Sequence, residues 1–441
     1  MPNPILPLWE YIPDGEPRVF GDRVYLYGSH DRVGHHEFCD YKLKVWSAPL
    51  SDLNSWQCHG TSFQTRDTRN HPADTPHTDH ELYAPDCVEK DGKYYLYTYI
   101  VGSKGCISVS DKPEGPFKFL STYQYAPEDA GDDGIYNDIG VLVDDDGRVY
   151  CFYGFEGSFM NELDGKDMVS VLPGSLKRHV IDDDPSLPIE QRFYEASSPR
   201  KINGLYYVIY SPRKGSRLAY ATADKPTGPF TYRGYIIDNG VDYPAGNNHG
   251  SIMQINGQWY VFYHRMTNNT IMSRRACVEK ITILPDGTIP PVEMTSLGFE
   301  DALNPYRITP AETACVLKGG CFITEKDIFN RCITRITNGC VMGYKYFDFG
   351  DDYTGDSLTL ALNVGGMGTN CIMRILLDGE DGEEIGVCNI GTHDGVYKVK
   401  VRNLTGRHSI FFRCEHTVEG WMGGYFEDKP LFELKDFVFM K

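Results

Sequence analysis

Five titratable side chains recur at corresponding places in this 441-residue chain. Each lies six to nine positions ahead of a glycine that opens an aromatic-rich, alternating segment; they are Asp14, Asp86, Asp138, Glu195 and His249. Gathering four carboxylates and an imidazole in one narrow channel costs several kcal/mol unless they serve catalysis or hold a cation. Their shared position therefore predicts acid–base chemistry or metal binding.

The segments that would position these residues form an internal repeat. A turn glycine followed by an aromatic strand pattern occurs five times, with the glycines 71, 55, 57 and 53 residues apart, at Gly21, Gly92, Gly147, Gly204 and Gly257. This spacing leaves room for about four strands per repeat. Together with 30 Tyr, 45 Gly and 26 Pro, it predicts an all-β fold whose first part is a five-bladed β-propeller.

Each turn glycine supplies the positive φ of a tight hairpin, so the aromatic segment after it is the second strand of a blade. The strand before the turn is then the innermost one and lines the central channel. Five-fold geometry brings the five titratable groups to one axis, although they are far apart in sequence.

Hydrolysis of a glycosidic bond by inversion uses a protonated acid and an ionised base roughly 6.5 to 9.5 Å apart, with a water between them. Glu195 is the predicted acid, because Tyr194 and Ala196 give it a partly apolar setting and Asp138 would keep its pKa raised. Asp14 is the predicted base, ionised at neutral pH.

Sugar binding requires flat apolar surfaces and polar partners. Three aromatic residues next to channel positions are candidates for stacking, with structural packing as the alternative for each: Tyr83, Tyr136 and Phe193. Asp86 is a further candidate for substrate binding. The guanidinium of Arg274 is predicted to hold ring hydroxyls or the third carboxylate.

His249 has no Cys neighbour and no second His at metal-ligand spacing, which argues against zinc. We expect it to bind, through a water, a structural Ca²⁺ on the propeller axis; a satisfied core histidine is the alternative. No cofactor is expected for the chemistry. His264 and Arg265, at the end of the fifth repeat, are expected to be structural.

Charge and composition narrow the partners. Lys plus Arg is 43 against 61 Asp plus Glu, a net charge of −18, which argues against nucleic-acid and anionic-membrane partners. No apolar run reaches membrane-spanning length. The first residues lack a signal-peptide pattern, and the thirteen cysteines stand singly, so a cytoplasmic location with reduced thiols is expected. No oligomeric state is predicted.

From about Asn3 to Gly298 the chain resembles glycoside hydrolase family 43, five-bladed propellers that include β-xylosidases and α-L-arabinofuranosidases. The resemblance is spread across all five blades, and its segments in the first four are Asp14-Gly15, Tyr83-Ala84-Pro85-Asp86, Asp138-Ile139-Gly140 and Glu195-Ala196-Ser197. The chain departs from the family pattern where Gly15 replaces Pro, Tyr83 replaces Trp, and Ala196-Ser197 replaces Gly-Pro.

This resemblance implies the same roles: Asp14 as base, Asp138 as modulator of the acid's pKa and orienter of the substrate, and Glu195 as acid. It also implies that Arg274 is the family's active-site arginine. His249 would be its axial histidine, which is often found next to a calcium ion.

The repeat stops near Asn304, so two domains are predicted, at 1–304 and 305–441. Alternating strands in the second domain predict a β-sandwich of jelly-roll type. This part resembles carbohydrate-binding module family 6, which implies sugar stacking on Tyr344 or Tyr346; Trp421 is another candidate. The alternative is a structural domain that buttresses the propeller or lends a loop to its mouth.

Three functions are compatible with these residues. The first is an exo-acting hydrolase that releases terminal xylose or arabinofuranose from plant-type oligosaccharides. The second is an endo-acting arabinanase or xylanase on the same fold. The third is a sugar-binding propeller without turnover, and the intact base, modulator and acid argue against it.

Overall fold

A computed structural model describes residues 2–124, 136–366 and 368–441 of the chain. These residues form five small antiparallel sheets, followed by two larger ones that face each other. The fold is all-β: a five-bladed propeller, which the repeat predicted, is followed in the chain by a β-sandwich.

The propeller sheets are consecutive along the chain. The first contains β1 (Glu16–Phe20), β2 (Arg23–Tyr27), β3 (Lys42–Pro49) and β4 (Gln57–Gln64). The second contains β5 (Tyr83–Lys90), β6 (Lys93–Tyr99), β7 (Cys106–Ser110) and β8 (Lys118–Ser121). The third contains β9 (Gly140–Val143), β10 (Val149–Tyr153), β11 (Phe159–Leu163) and β12 (Lys177–Arg178).

The fourth sheet contains β13 (Phe193–Ile202), β14 (Leu205–Pro212), β15 (Arg217–Ala223) and β16 (Thr231–Asp238). The fifth contains β17 (Ser251–Ile255), β18 (Gln258–Thr267) and β19 (Thr270–Ile281). The five predicted glycines precede β2, β6, β10, β14 and β18, and all five have positive φ. At Gly92, for example, φ is 76° and open space surrounds the α-carbon, so the backbone conformation alone explains the glycine.

The first strands of the sheets are the inner ones. β1 contacts β5 and β17, and β9 contacts β5 and β13. Arg200 of β13 completes the ring by donating to the Ile252 carbonyl of β17 at 2.9 Å. The N-terminal segment closes the fifth sheet, because the Ile5 N–H donates to the Ala276 carbonyl of β19.

The strands of all five blades run in the same sequence of directions. Each inner strand leaves one face of the ring, which we call the upper face, and the second strand of the hairpin returns to it. The turns between second and third strands, such as Asn268-Asn269 between β18 and β19, therefore also lie on the upper face.

The sandwich strands form two sheets. One has the order β22-β23-β30-β25-β28, with β20 beside β30; its strands are β20 (Thr309–Pro310), β22 (Phe322–Asp327), β23 (Asn330–Ile336), β25 (Ser357–Gly366), β28 (Gly395–Arg402) and β30 (Phe432–Met440). The other has the order β21-β24-β29-β26-β27, with β21 (Val316–Lys318), β24 (Val341–Asp348), β26 (Cys371–Leu377), β27 (Glu383–Ile390) and β29 (Arg407–His416).

Helix is scarce, as expected. The described residues contain one α-helix, α1 (Trp421–Phe426), and a 3₁₀ turn at Ala311–Thr313. In the part of the chain that the structure covers, no helix has the length and apolar character needed to cross a membrane. One hydrophobic cluster runs from the fourth and fifth propeller sheets into the sandwich, so the two parts share a continuous core.

Candidate active site

Four of the five predicted titratable groups, Asp14, Asp138, Glu195 and His249, stand where the inner strands begin, at the upper face. Asp14 and Asp138 precede β1 and β9 with φ values of 57° and 49°. Glu195 lies in β13 between two register shifts, the irregularity that commonly re-aims side chains beside active sites. These local distortions turn the carboxyl groups into the channel mouth.

Asp14 is buried and surrounded by hydrogen-bond donors. Its Oδ2 accepts a hydrogen bond from the Ser29 hydroxyl at 2.6 Å, and its Oδ1 accepts one from Arg274 Nη1 at 2.9 Å. Burial alone would raise the pKa of Asp14, but the charge of Arg274, the neighbouring imidazoles of His249 and His264 and the Ser29 hydrogen bond hold it below its usual range. The carboxylate is therefore ionised, as a general base must be.

Arg274 is itself fixed by a second buried carboxylate. Its Nε and Nη2 donate to the two oxygens of Asp31 at 2.9 and 2.8 Å, and its backbone N–H donates to Asp31 as well. The guanidinium also lies over the Phe38 ring, 4.9 Å from its centroid. These hydrogen bonds leave Nη1 pointing at Asp14, and they restrict rotation of the Arg274 guanidinium.

Two histidines complete the surroundings of Asp14. His249 Nδ1 lies 3.8 Å from both Asp14 Oδ1 and Asp138 Oδ2, so it stands between two of the predicted catalytic groups. His264 is fully buried, with Nδ1 3.6 Å from Asp14 Oδ1. Burial lowers the pKa of both imidazoles, to about 3 for His264. A structural role for His264 stays a prediction, and the residue also contacts the base.

Glu195 and Asp138 hold protons more tightly than ordinary carboxyls. Burial and the charge of Asp14 raise the pKa of Glu195 to about 7, against the opposing effects of Arg274 and of a hydrogen bond from Asn137. Burial and the charges of Glu195 and Asp14 raise the pKa of Asp138 well above its usual range. The two carboxyls titrate as a pair, so a charge on either one raises the pKa of the other, and the charge of Asp14 raises the pKa of both.

Two predicted stacking residues are not available to a ligand. Phe193 has no exposed surface and packs against Tyr210 within the core between the third and fourth sheets. Tyr136 is 4% exposed, and its hydroxyl accepts a hydrogen bond from Asn161. The prediction that they stack on sugar is wrong, because both rings turn into the core. Tyr83 is partly exposed and remains a candidate.

Asp86 lies lower in the channel than the mouth. Arg18 donates to both of its oxygens, at 3.0 and 2.7 Å, and the Val141 N–H donates to Oδ2 at 2.7 Å. The residue is 2% exposed. Its carboxylate thus links the inner strands β1, β5 and β9 by hydrogen bonds. The prediction that Asp86 binds substrate is therefore wrong.

The described residues do not offer the cation expected at His249 a set of side-chain ligands. Among residues 2–124, 136–366 and 368–441, no group of three or more His, Cys, Asp or Glu side chains could hold a metal ion. A Ca²⁺ held through water on His249 stays a prediction, and a calcium-dependent rise in Tm that His249→Ala abolishes would test it.

In the sandwich, Tyr344 is fully buried and donates to the Ala311 carbonyl, so the prediction that it stacks on sugar is wrong. Tyr346 is covered on one face by Arg407, 4.6 Å from the ring centroid. Trp421 is 84% exposed on α1. The resemblance to a sugar-binding module stays a prediction.

Sequence reasoning missed the residues that hold the base in place. Ser29 and Asp31 follow β2 in Gly28-Ser29-His30-Asp31, a segment that the repeat does not mark. A polar cluster directly after a buried aromatic strand was the available signal, since such strand ends lie on the upper face.

An ionised carboxylate and a protonated one, facing a shared channel mouth, are the two groups that hydrolysis of a glycosidic bond by inversion requires, so the site fits a glycoside hydrolase. Comparison with known proteins agrees. The family model described as glycosyl hydrolases family 43 matches residues 1–289. A xylosidase/arabinosidase of Thermoclostridium stercorarium is 41% identical over 363 residues, which cover 74% of this chain and 73% of the relative.

Solved structures extend the likeness. A β-xylosidase/α-arabinofuranosidase from a compost microbial metagenome, crystallised with xylotriose, shares 29% identity and a TM-score of 0.56 over 66% of this chain and 99% of its own. An arabinoxylan arabinofuranohydrolase from Bacillus subtilis matches the fold over 100% of this chain and 97% of its own, at 24% identity and a TM-score of 0.56. The chain belongs to glycosyl hydrolase family 43, and it is an inverting glycosidase.

Proposed function

We propose that this glycosidase releases terminal xylose or arabinofuranose from plant-type oligosaccharides, with Asp14 as general base and Glu195 as general acid. Relatives named as xylosidase/arabinosidase, β-xylosidase and arabinoxylan arabinofuranohydrolase support this substrate class. The observation that carries the roles is that Ser29 and Arg274 donate to the two oxygens of Asp14, which lowers its pKa, whereas burial near that charge raises the pKa of Glu195 to about 7.

The base acts on water. Asp14 stays ionised because Arg274 and Ser29 donate to its two oxygens. In this role it takes a proton from a water that attacks the anomeric carbon from the side opposite the leaving group, so the configuration inverts. Both donors also fix the direction in which the carboxylate accepts that proton.

The acid acts on the leaving oxygen. Glu195 keeps its proton near neutral pH and transfers it to the glycosidic oxygen as the bond to the anomeric carbon breaks. Asp138 shares the titration of this carboxyl and, when protonated, can donate to a sugar hydroxyl. We assign it the positioning of the substrate and the tuning of Glu195.

Chromogenic xylosides and arabinofuranosides test the proposal. The wild type should release at least one of the two pentoses, and Asp14→Ala and Glu195→Ala should lower kcat by about 10²–10⁴-fold. Asp146→Ala, in an exposed hairpin turn, is the matched control and should keep full activity. Release that persists in both site variants would overturn the roles, and oligosaccharide binding without release by the wild type would favour a non-catalytic propeller.

We also propose that the protein works in a reducing compartment, the cytoplasm. All thirteen cysteines are free, and twelve of them are buried. Unpaired buried thiols are typical of proteins that fold where disulfides do not form. Fractionation of the source cells tests this, and activity confined to the medium would contradict it.

A further inference from the structure

Two segments of the chain run side by side next to the catalytic base. The first, which we call the base segment, is residues 10–14 and ends at the base itself. The second, the support segment, is residues 28–31 and directly follows β2. The Asp31 N–H donates to the Tyr11 carbonyl at 3.0 Å, so a backbone hydrogen bond joins the two segments.

The support segment carries groups that fix the base. The Ser29 hydroxyl donates to one oxygen of Asp14. Asp31 binds the guanidinium of Arg274, which donates to the other oxygen of the base. A shift of the support segment would therefore disturb both hydrogen bonds to the base at once.

His30 lies between Ser29 and Asp31 in the chain, and each of its ring nitrogens faces a carboxylate. Nε2 lies 2.8 Å from Glu10 Oε1, at the start of the base segment. Nδ1 lies 3.1 Å from Asp40 Oδ2, two residues before β3. An ionised carboxylate accepts hydrogen bonds and donates none, so both ring nitrogens carry a proton and the imidazole is a cation.

The charges around His30 support this cation. Burial alone would lower the pKa of His30, but the hydrogen bonds to Asp40 and Glu10 hold it above its usual range, against the opposing charge of Lys44. Glu10 is 2% exposed and also accepts a hydrogen bond from Lys44 at 2.9 Å, and Lys42 lies 3.6 Å from Asp40. These five charged groups form one network that joins the support segment to the base segment and to the start of β3.

We propose that His30 is a positioning residue for the catalytic base. Its imidazolium holds the support segment between Glu10 and Asp40, so the hydrogen bonds that reach Asp14 keep their direction. This inference rests on the proposed function, and in it His30 acts through those hydrogen bonds and not on the sugar. Since a misplacement of about 1 Å can cost about 100-fold in rate, a looser support segment should lower kcat.

His30→Gln tests this role, because a neutral amide cannot pair with both carboxylates as the cation does. On the nitrophenyl pentoside that the wild type cleaves, kcat should fall about tenfold while KM changes less than about twofold. The acid limb of kcat should move up by about half a pH unit, because looser contacts from Ser29 and Arg274 stabilise the ionised base less. Asp40→Asn removes one of the two anionic partners of His30, so it should shift kcat and the acid limb in the same direction by smaller amounts. It carries the test if the His30 variant does not fold.

His59→Gln is the matched control, because His59 is an imidazole on β4 of the same sheet, hydrogen-bonded to Ser47 at 2.6 Å. It should leave kcat and the acid limb unchanged. Wild-type kcat and an unmoved acid limb in folded His30→Gln, or in Asp40→Asn, would overturn the positioning role. A loss that disappears once kcat is corrected for the folded fraction would overturn it too, as would an equal loss in the His59 variant. A wild type that releases no pentose would instead reject the proposed function itself.

Discussion

The raised pKa of Glu195 predicts where activity falls with increasing pH. At a pKa of about 7, half of the Glu195 side chains carry the catalytic proton at pH 7, and about a tenth do at pH 8. A glutamate at the ordinary 4.5 would be protonated in only about 0.3% of molecules at pH 7, so burial and Asp14 enlarge the active fraction roughly 150-fold.

The expected profile of kcat/KM is a bell. Its alkaline limb has a midpoint near pH 7, because Glu195 must be protonated to act and loses its proton as pH rises. Its acid limb lies below the usual range of an aspartate, because Asp14 must be ionised and its pKa is lowered. Wild-type kcat/KM that stays constant up to pH 9 would refute this reasoning.

Glu195→Gln isolates the acid. The variant should lose about 10²–10⁴-fold in kcat on glycosides with poor leaving groups and far less on dinitrophenyl glycosides, which need no protonation. On the dinitrophenyl substrate its alkaline limb should disappear while the acid limb remains. An alkaline limb unchanged in this variant would mean that another group supplies the proton.

Substitutions at three further positions test the surroundings of the site. Ser29→Ala removes a hydrogen bond to ionised Asp14, so the acid limb should move up by about one pH unit; an unmoved limb would contradict the contact. Asp31→Asn should lower stability by about 3–5 kcal/mol, because it removes one of the two buried carboxylates that pair with Arg274, and thermal unfolding equal to wild type would oppose this. Phe193→Ala should lower stability by about 3–5 kcal/mol, whereas Phe193→Leu should leave KM unchanged; a raised KM in the Leu variant at wild-type Tm would restore the stacking role.

The propeller and the titrating groups were predictable because they depend on local rules. A hairpin glycine with positive φ precedes the second strand of every propeller sheet, as Gly92 and Gly147 illustrate. Counting back from those turns locates the inner strands, and hence Asp14 and Glu195, without any long-range information.

The inner lining was less predictable, because sequence does not show which way a side chain turns at an irregular strand start. Phe193 precedes a register shift in β13 and faces the core, whereas Glu195, two residues on, faces the mouth. Asp86 lies six residues before its turn glycine, whereas Asp138 lies nine before its own, so Asp86 is deeper in the channel, paired with Arg18. Asp31 and Ser29 could not be found from periodicity, since their partners are contributed by distant strands.

The anomeric configuration of the first product tests the central claim most directly. If a water stands between Asp14 and Glu195 at the channel mouth, NMR spectra recorded in the first minutes of wild-type hydrolysis should show the pentose with inverted configuration, before mutarotation. A product that first appears with retained configuration would contradict the account, because a carboxylate would then have attacked the sugar directly.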